Sequence, residues 1–420
     1  MKNIIHFSTL DYGGANSVAL RTHKTFKKYG FNSIFFCKDK RSSDSNVLKI
    51  ESRIKNLYFR LINKIELKLN LFDEKYYFLE KNRNLLNDIR QIEELIPFKP
   101  DVIILYWISG FVDLKVIKQL KNKYDCKVYW YLMDMAPMTG GCHYAWDCKG
   151  YTNGCLNCPA TGTIKKNLPS DTMNYKIQMI RDIELEPISP TGWVTKQLKH
   201  SLLFKNKKIH EIMLGINPKI FKPLSQKDIT KLKLSYHLPL NKKIIFFGAI
   251  STDEIRKGLS YLIKALELIY KNKLIDANAV IIVTAGKDIS KSMFKNIIFT
   301  HKHIGYLNRD EDLAKAYQMS TLFVSPSIQD SGPMMINESI MCGTPVVSFK
   351  MGVAEDLVFN NETGHVAELR NFEDFANGIK KIINLDNQNY EEMKKKCRKI
   401  GLDKCNTETQ VQKLMSLTNQ

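Results

Sequence analysis

The segment from Leu322 to Ser348, LFVSPSIQDSGPMMINESIMCGTPVVS, restricts the fold of this chain more than any other stretch. It reads as strand, loop, helix, turn and strand. The apolar run Leu322, Phe323, Val324 stops at Ser325-Pro326-Ser327. A helix that ends before Gly343 then leads directly into a second strand, Pro345 to Phe349. A strand, a crossover helix and a second strand form the unit of a parallel sheet. The loop brings Asp330, Gly332 and Pro333 to the mouth of the helix, where Pro333 fits the first helical position because its missing N–H costs nothing. Amides at such a mouth are free and carry partial positive charge, so the place suits an anion or a ring of hydroxyls. Glu338 follows inside the helix. An acid there suits sugar hydroxyls, which donate to carboxylates.

The same pattern runs along the chain. Lys2 to Thr9 is an apolar strand, followed by the loop Asp11-Tyr12-Gly13-Gly14, a helix from about Ala15 to Lys28 and a strand from Ser33 to Cys37. Further strands are expected at Asp101–Trp107 and Lys127–Met133, where near-continuous apolar runs suit a sheet covered on both faces. A second series begins at Lys242. It has strands at Ile244–Phe247, Val280–Thr284 and Ile297–Tyr306, with helices from Gly258 to about Tyr270 and from Glu311 to Met319. Ile212–Pro223, punctuated by glycine and proline, reads as a hinge. Tyr390 to Gln420 reads as helical and charged.

At 420 residues and 48.6 kDa the chain is long for one core, and two α/β domains are expected. The architecture predicted is two Rossmann-like domains facing across a cleft. Residues 1–217 form the first and 218–400 the second, with a terminal helix, 401–420, packing back on the first.

Composition narrows the partners. Hydrophobic residues at 44% and charged residues at 25% are those of a globular protein. No apolar run is long enough to span a bilayer, and the first apolar stretch is too short for a signal peptide, so a cytoplasmic protein is expected. The net charge of +20 invites nucleic acid, but no basic stripe interleaved with aromatics follows a nucleic-acid motif, and none is expected as a partner. Arg53 to Leu71 places Ile54, Leu57, Leu61, Ile65 and Leu69 on one helical face, with Arg53, Lys55, Arg60, Lys64 and Lys68 around it. Such a helix either rests on an anionic membrane surface at the inner leaflet or packs on its own domain.

Four constellations carry chemistry. Gly13-Gly14 lies at the carboxyl end of the first strand, where backbone can approach a phosphate or sugar closely. The motif is not GxGxxG, and Asp11 is a poor neighbour for phosphate, which disfavours a dinucleotide. Arg256 and Lys257 stand just before a helix, where the dipole favours acids; paired cations make sense there if they hold a diphosphate. Cys142, Cys148, Cys155 and Cys158 fall in one window. Cys155-x2-Cys158 has the spacing of a metal knuckle, so either a closed structural zinc or free thiols are expected. Asp134 closes its strand and His143 follows Cys142. The histidine reads as a functional group, a structural residue or an alternative metal ligand.

With these residues in place, Gly13-Gly14, Arg256-Lys257-Gly258, His303-Ile304-Gly305-Tyr306-Leu307 and SPSIQDSGPMMINESIMCGTPVV resemble glycosyltransferase family 4. Thr139 to Pro159 resembles a subgroup making bacterial surface polysaccharides. The resemblance implies the GT-B fold and a retaining enzyme that moves a sugar from a UDP- or GDP-sugar to a hydroxyl of a surface polysaccharide or lipid-linked glycan. Arg256 and Lys257 would then hold the donor diphosphate, Glu338 the ribose, and Asp330 the donor sugar. Backbone around Ser331, Gly332 and Met335 would meet sugar or phosphate, with Gly305 and Tyr306 beside the base. Gly13 and Gly14 would approach the diphosphate and acceptor from the first domain. No DxD-like motif is present, so no catalytic metal is expected. Three departures stand out: Asp for Glu at 330, Met133-Asp134 for His-Asp, and Leu214-Gly215-Ile216-Asn217 for N-G-I-D. An epimerase or a non-catalytic nucleotide-sugar-binding subunit on the same fold are the alternatives.

Overall fold

The computed structural model describes residues 2–50, 72–78, 89–250, 254–287 and 299–419. The chain divides into two compact units. One comprises Met1–Pro190, Val194–Ile212 and Val411–Gln420; the other comprises Thr191–Trp193 and Met213–Gln410. The Arg53–Leu71 segment, read as a membrane-resting or surface helix, lies outside the described residues.

The amino-terminal unit is built on strands β1 (Asn3–Phe7), β2 (Asn32–Cys37), β3 (Val47–Lys49), β4 (Val102–Leu105), β5 (Lys127–Tyr131), β6 (Glu186–Ser189) and β7 (His210–Glu211). Among the described residues they form one sheet in the order β3-β2-β1-β4-β5-β6-β7. Every pairing is parallel. Helices α1 (Gly14–Lys28), α2 (Leu114–Tyr124) and α3 (Leu168–Ile183) belong to this unit. Each starts and stops for a local reason. Asp113 caps α2 by accepting the Lys115 N–H at 2.8 Å, and Asp125 ends it in the left-handed region.

The carboxy-terminal unit repeats the plan with β8 (Lys243–Gly248), β9 (Val280–Ala285), β10 (Thr300–His303), β11 (Leu322–Ser325), β12 (Val346–Phe349) and β13 (Gly364–Ala367). Their order is β10-β9-β8-β11-β12-β13, again parallel throughout. Helices α4 (Leu259–Lys271), α5 (Asp310–Gln318), α6 (Met334–Met341) and α7 (Asn387–Lys404) pack in this unit, and α8 (Thr407–Asn419) follows. Buried β-branched and aromatic residues fill both faces of the sheet: all six residues of β9 are buried, as are all four of β11 and of β12. That explains the unbroken apolar runs.

Strand order fixes where ligands can bind. In each sheet the order reverses once, between β1 and β4 in the first unit and between β8 and β11 in the second. Loops leaving the carboxyl ends of strands at such a switch point diverge and leave a crevice. Gly13-Gly14 follows β1, while Arg256-Lys257 and Asp330 follow β8 and β11.

Some elements differ from the sequence reading. Pro333 is the cap before α6, with ψ of 101°, and not its first helical residue. The strand expected over Ile297–Tyr306 is confined to Thr300–His303 among the described residues. The tail is two helices. Ile216 N–H donates to Cys405 O at 2.7 Å and Thr407 N–H to Ile216 O at 3.2 Å, so the chain pairs with the hinge segment for a residue or two between α7 and α8. Those backbone groups cannot also serve a continuous helix.

Candidate active site

The carboxy-terminal unit gathers the cations and acids. Glu254 opens a single 3-10 turn, Ile255–Lys257, that ends at Gly258 in the left-handed region (φ 69°) before α4 begins. The Lys257 ammonium donates to Asp330 Oδ2 at 2.6 Å and the Arg256 guanidinium to the same oxygen at 3.1 Å. Arg256 also pairs with Glu254. The other Asp330 oxygen accepts the Gly332 N–H at 3.2 Å. Burial alone would raise the Asp330 carboxyl, but Lys257 and then Arg256 outweigh it and hold it below the usual carboxylate range.

Backbone locks the two loops together. Ile328 N–H donates to Arg256 O at 2.9 Å. A Cβ on Gly258 would lie 1.8 Å from Pro326 O. Only glycine allows the turn that carries the cations to sit against the β11 loop. The loop is braced on its other side by the Thr191 hydroxyl, which donates to Ser331 O at 3.0 Å. The Ser331 hydroxyl itself is buried with no hydrogen-bond partner.

Glu338, buried on α6, accepts from the Tyr317 hydroxyl of α5 at 3.0 Å. Burial and then Glu338 push the Tyr317 phenol far above its ordinary range, so it serves as a donor only. Gly305 has φ of 82° with open space around it, and its carbonyl accepts the Gly286 N–H at 3.0 Å. Beside it Tyr306 is 42% exposed with the Lys287 ammonium 4.9 Å over its ring. The structure thus brings Arg256, Lys257, Asp330, Ser331 and Gly332 together. Gly305-Tyr306 follow β10, which β9 and β8 separate from β11, and Glu338 lies within α6.

In the amino-terminal unit Gly13 (φ 73°) and Gly14 (φ 42°) are exposed, with nothing within 4 Å of either added Cβ. Asp11 is not aimed at a ligand there. Its carboxylate accepts the backbone N–H groups of Arg41 and Ser42 at 2.9 and 2.7 Å and fixes the β2 loop. Asp134 and His143 form a buried pair, Oδ2 to Nδ1, at 2.5 Å. Trp107 Nε1, 3.0 Å away, addresses the same ring nitrogen. Both donors cannot carry hydrogens toward one another, and the shorter, charge-assisted contact places the proton on Nδ1. His143 Nε2 is then a lone pair, buried and without a partner.

Lys176 and Trp107 are residues that sequence reasoning missed, as is Tyr317. The Lys176 ammonium, buried, donates to Ala136 O at 2.6 Å and Thr139 O at 2.9 Å, holding the loop between Asp134 and His143. The signal existed: Lys176 falls at helical spacing among Met173, Met179, Ile180 and Ile183 on the buried face of α3. A lysine on an apolar face needs carbonyl partners.

The structural zinc expected at Cys142, Cys148, Cys155 and Cys158 is not supported. Among the described residues no group of three or more His, Cys, Asp or Glu side chains is arranged to hold a metal ion. Cys142, Cys148 and Cys158 pack with Tyr76, Phe78 and Ala160. The sulfurs of Cys155 and Cys148 accept the N–H groups of Gly140 and Gly150. Burial pushes the Cys142 thiol up to about 12 and the Cys155 thiol up to about 11.

Residues 228–400, within the carboxy-terminal unit, match the family described as Glycosyl transferases group 1. The chain is similar, at 25% identity over 212 residues, to the UDP-Gal:alpha-D-GlcNAc-diphosphoundecaprenol alpha-1,3-galactosyltransferase of Escherichia coli, covering 50% of this chain and 54% of that one. It is similar, at 25% identity over 200 residues, to the capsular polysaccharide biosynthesis glycosyltransferase CapM of Staphylococcus aureus, covering 46% and 51%. The matches thus span about half the length of these curated relatives. The fold matches Alr3699/HepE of Anabaena, solved in complex with UDP, at a TM-score of 0.67 and 14% identity over 100% of both chains. The fold class is α/β, GT-B.

Proposed function

We propose that the protein is a retaining glycosyltransferase of family 4 that moves a sugar from a nucleotide-sugar donor to a hydroxyl of a surface polysaccharide or its lipid-linked precursor. One observation carries this reading. Arg256 and Lys257 converge at 3.1 and 2.6 Å on one oxygen beside the loop that opens α6, the helix bearing Glu338. Cations, loop amides and a buried acid within one sheet edge suit a diphosphate flanked by hydroxyls. The proteins that this chain resembles support the finer points. One is named for a UDP-galactose donor and a diphosphoundecaprenol acceptor, one for capsular polysaccharide, and one was solved with UDP. A UDP-sugar is therefore the first donor to test, with GDP-sugars second.

The roles follow from charge. Arg256 and Lys257 hold the diphosphate and stabilise the negative charge that grows as it departs, an electrostatic contribution with no proton to move. Glu338, positioned by Tyr317, takes the ribose hydroxyls. Asp330 takes hydroxyls of the donor sugar, and backbone at Ser331 and Gly332 meets the sugar or phosphate. Gly305 and Tyr306 lie beside the base. In the amino-terminal unit Gly13 and Gly14 admit the acceptor and diphosphate, and the Asp134–His143 pair offers Nε2 to an acceptor hydroxyl. The course usual in the family that the chain resembles is attack on the same face as departure, with the leaving phosphate receiving the acceptor proton. The basic balance of the chain suits an acceptor presented at the inner face of an anionic membrane.

The test is a donor-hydrolysis and transfer screen with UDP- and GDP-sugars on wild type and on the Arg256→Ala/Lys257→Ala double variant. Slow donor hydrolysis needs no known acceptor. Turnover should fall at least about 100-fold in the double variant with its unfolding transition retained. Equal turnover in the two proteins would refute the assignment.

A further inference from the structure

Asp330 occupies the place of an anion. One carboxylate oxygen sits on both cations, Lys257 at 2.6 Å and Arg256 at 3.1 Å, and the other takes the Gly332 amide at 3.2 Å. These are the groups that a diphosphate would use: two cations and a backbone N–H in a water-poor loop, with the Asp330 side chain only 13% exposed. Arg256 is paired with Glu254 as well. Two cations and two carboxylates cancel, so the cluster offers an arriving diphosphate little net attraction until a carboxylate leaves. The backbone of the loop is held, by Ile328 N–H on Arg256 O at 2.9 Å and by the Thr191 hydroxyl on Ser331 O at 3.0 Å, so the exchange is one of the Asp330 side chain.

Resting on the nucleotide-sugar reading above, we propose that Asp330 is an internal anion surrogate. It holds Arg256 and Lys257 until the donor diphosphate displaces it from them, and only then turns to the hydroxyls of the donor sugar. Nucleotide affinity is set by this exchange, because the binding-competent arrangement is a fraction of the empty protein and apparent affinity falls by that fraction. The single exchange also orders the site. The acid meets the sugar only when a diphosphate has taken its place on the cations, so hydroxyl contact reports that a complete donor is present. No bond is made or broken in this step.

The exchange predicts a sign that a purely sugar-binding or purely structural Asp330 does not. Calorimetric titration of wild type, Asp330→Asn and Asp330→Ser with UDP, GDP, inorganic pyrophosphate and the UDP-sugar that wild type hydrolyses separates the cases. Both variants should bind UDP and pyrophosphate about tenfold tighter than wild type, the size expected from removing one competing charge at close range. Their affinity for the whole donor should gain less, and their turnover should fall. Unchanged UDP affinity makes Asp330 a sugar contact only, and weaker UDP affinity makes it a brace for the cations; either result overturns the proposal. Should wild type and both variants bind no UDP, GDP or pyrophosphate, the nucleotide-sugar reading itself fails. A variant that does not unfold cooperatively is set aside for the other, so the comparison is always made on folded protein.

Discussion

Gly258 offers the sharpest single-atom test of how the cation turn is held. It adopts φ of 69°, and a Cβ there would stand 1.8 Å from Pro326 O and 2.8 Å from Pro326 C. The obstacle is backbone of the neighbouring loop, not the end of a flexible side chain. Ordinary contact begins at 3.4 Å, so the two segments would have to part by about 1.6 Å. Alanine in the left-handed region costs about 1 to 2 kcal/mol. Parting the segments also breaks the 2.9 Å bond from Ile328 N–H to Arg256 O, worth about 1 kcal/mol. Gly258→Ala should therefore destabilise the carboxy-terminal unit by about 3 kcal/mol, a shift of roughly 6 to 12 °C in its unfolding midpoint for a unit of this size. Because the shift also carries Arg256 and Lys257 away from the loop amides that would share the diphosphate with them, UDP affinity should fall as well. Scanning calorimetry and nucleotide titration read the two effects. A variant that unfolds within 1 °C of wild type and binds UDP normally would show that the close approach at Gly258 is not what seats the cations.

Three further outcomes follow from the geometry. Tyr317→Phe removes one hydrogen bond to the buried Glu338 carboxylate without changing packing volume; the donor KM should rise about tenfold with kcat little changed, as steady-state kinetics will show. Lys176→Met takes the ammonium from Thr139 O and from Ala136 O, which keeps only the Thr139 N–H at 3.4 Å; it should cost the amino-terminal unit about 2 to 4 kcal/mol by denaturant unfolding and lower transfer by loosening the Asp134–His143 loop. His23 is fully buried at the side chain, and burial lowers its pKa from 6.5 to about 4, against an opposing pull from Asp44. Between those values the unfolded chain binds a proton that the folded unit refuses. Stability is therefore full above about pH 6.5 and should decline by about 3 kcal/mol as pH falls toward 4. A His23→Gln variant should flatten that part of the profile; a midpoint independent of pH from 7 to 5 in wild type would contradict the burial argument.

Much of the fold was legible because parallel sheets advertise themselves. Val280–Ala285 and Leu322–Ser325 are buried at every position and almost wholly apolar, as strands of a sheet covered on both faces are. β13 was not legible. Its residues Gly364 to Ala367 include His365, whose ring pairs with Asp374 at 2.8 Å, and nothing local in GHVA marks a strand. At the candidate site the residue types were readable where chemistry demands them: paired cations, two acids and glycines at strand ends. Partnership was not. That Asp330 sits on Lys257, that Asp134 meets His143 or that Tyr317 reaches Glu338 depends on contacts across 73, 9 and 21 positions. Sequence spacing carries no distance information of that kind. The cysteine window stayed open between zinc and free thiols for the same reason, because knuckle-like spacing says nothing about whether buried sulfurs will be met by a metal or by aromatic rings and backbone amides.

The assignment of Val411–Gln420 to the amino-terminal unit has a consequence for how the protein is made. The Tyr129 hydroxyl of β5 donates to Leu417 O at 3.1 Å, and Val411, Leu414 and Leu417 are all buried. During synthesis the strands of that unit emerge first, yet their last packing partner leaves the ribosome after the whole carboxy-terminal unit has been made. At about 5 to 20 residues per second, the first-made sheet waits on the order of ten seconds or more with part of its apolar surface uncovered. The carboxy-terminal unit, whose strands are contiguous in the chain, meets no such delay and completes first. Loss of the last turns of α8 would therefore injure the opposite end of the chain. Folding intermediates should be recognised by chaperones through the amino-terminal sheet.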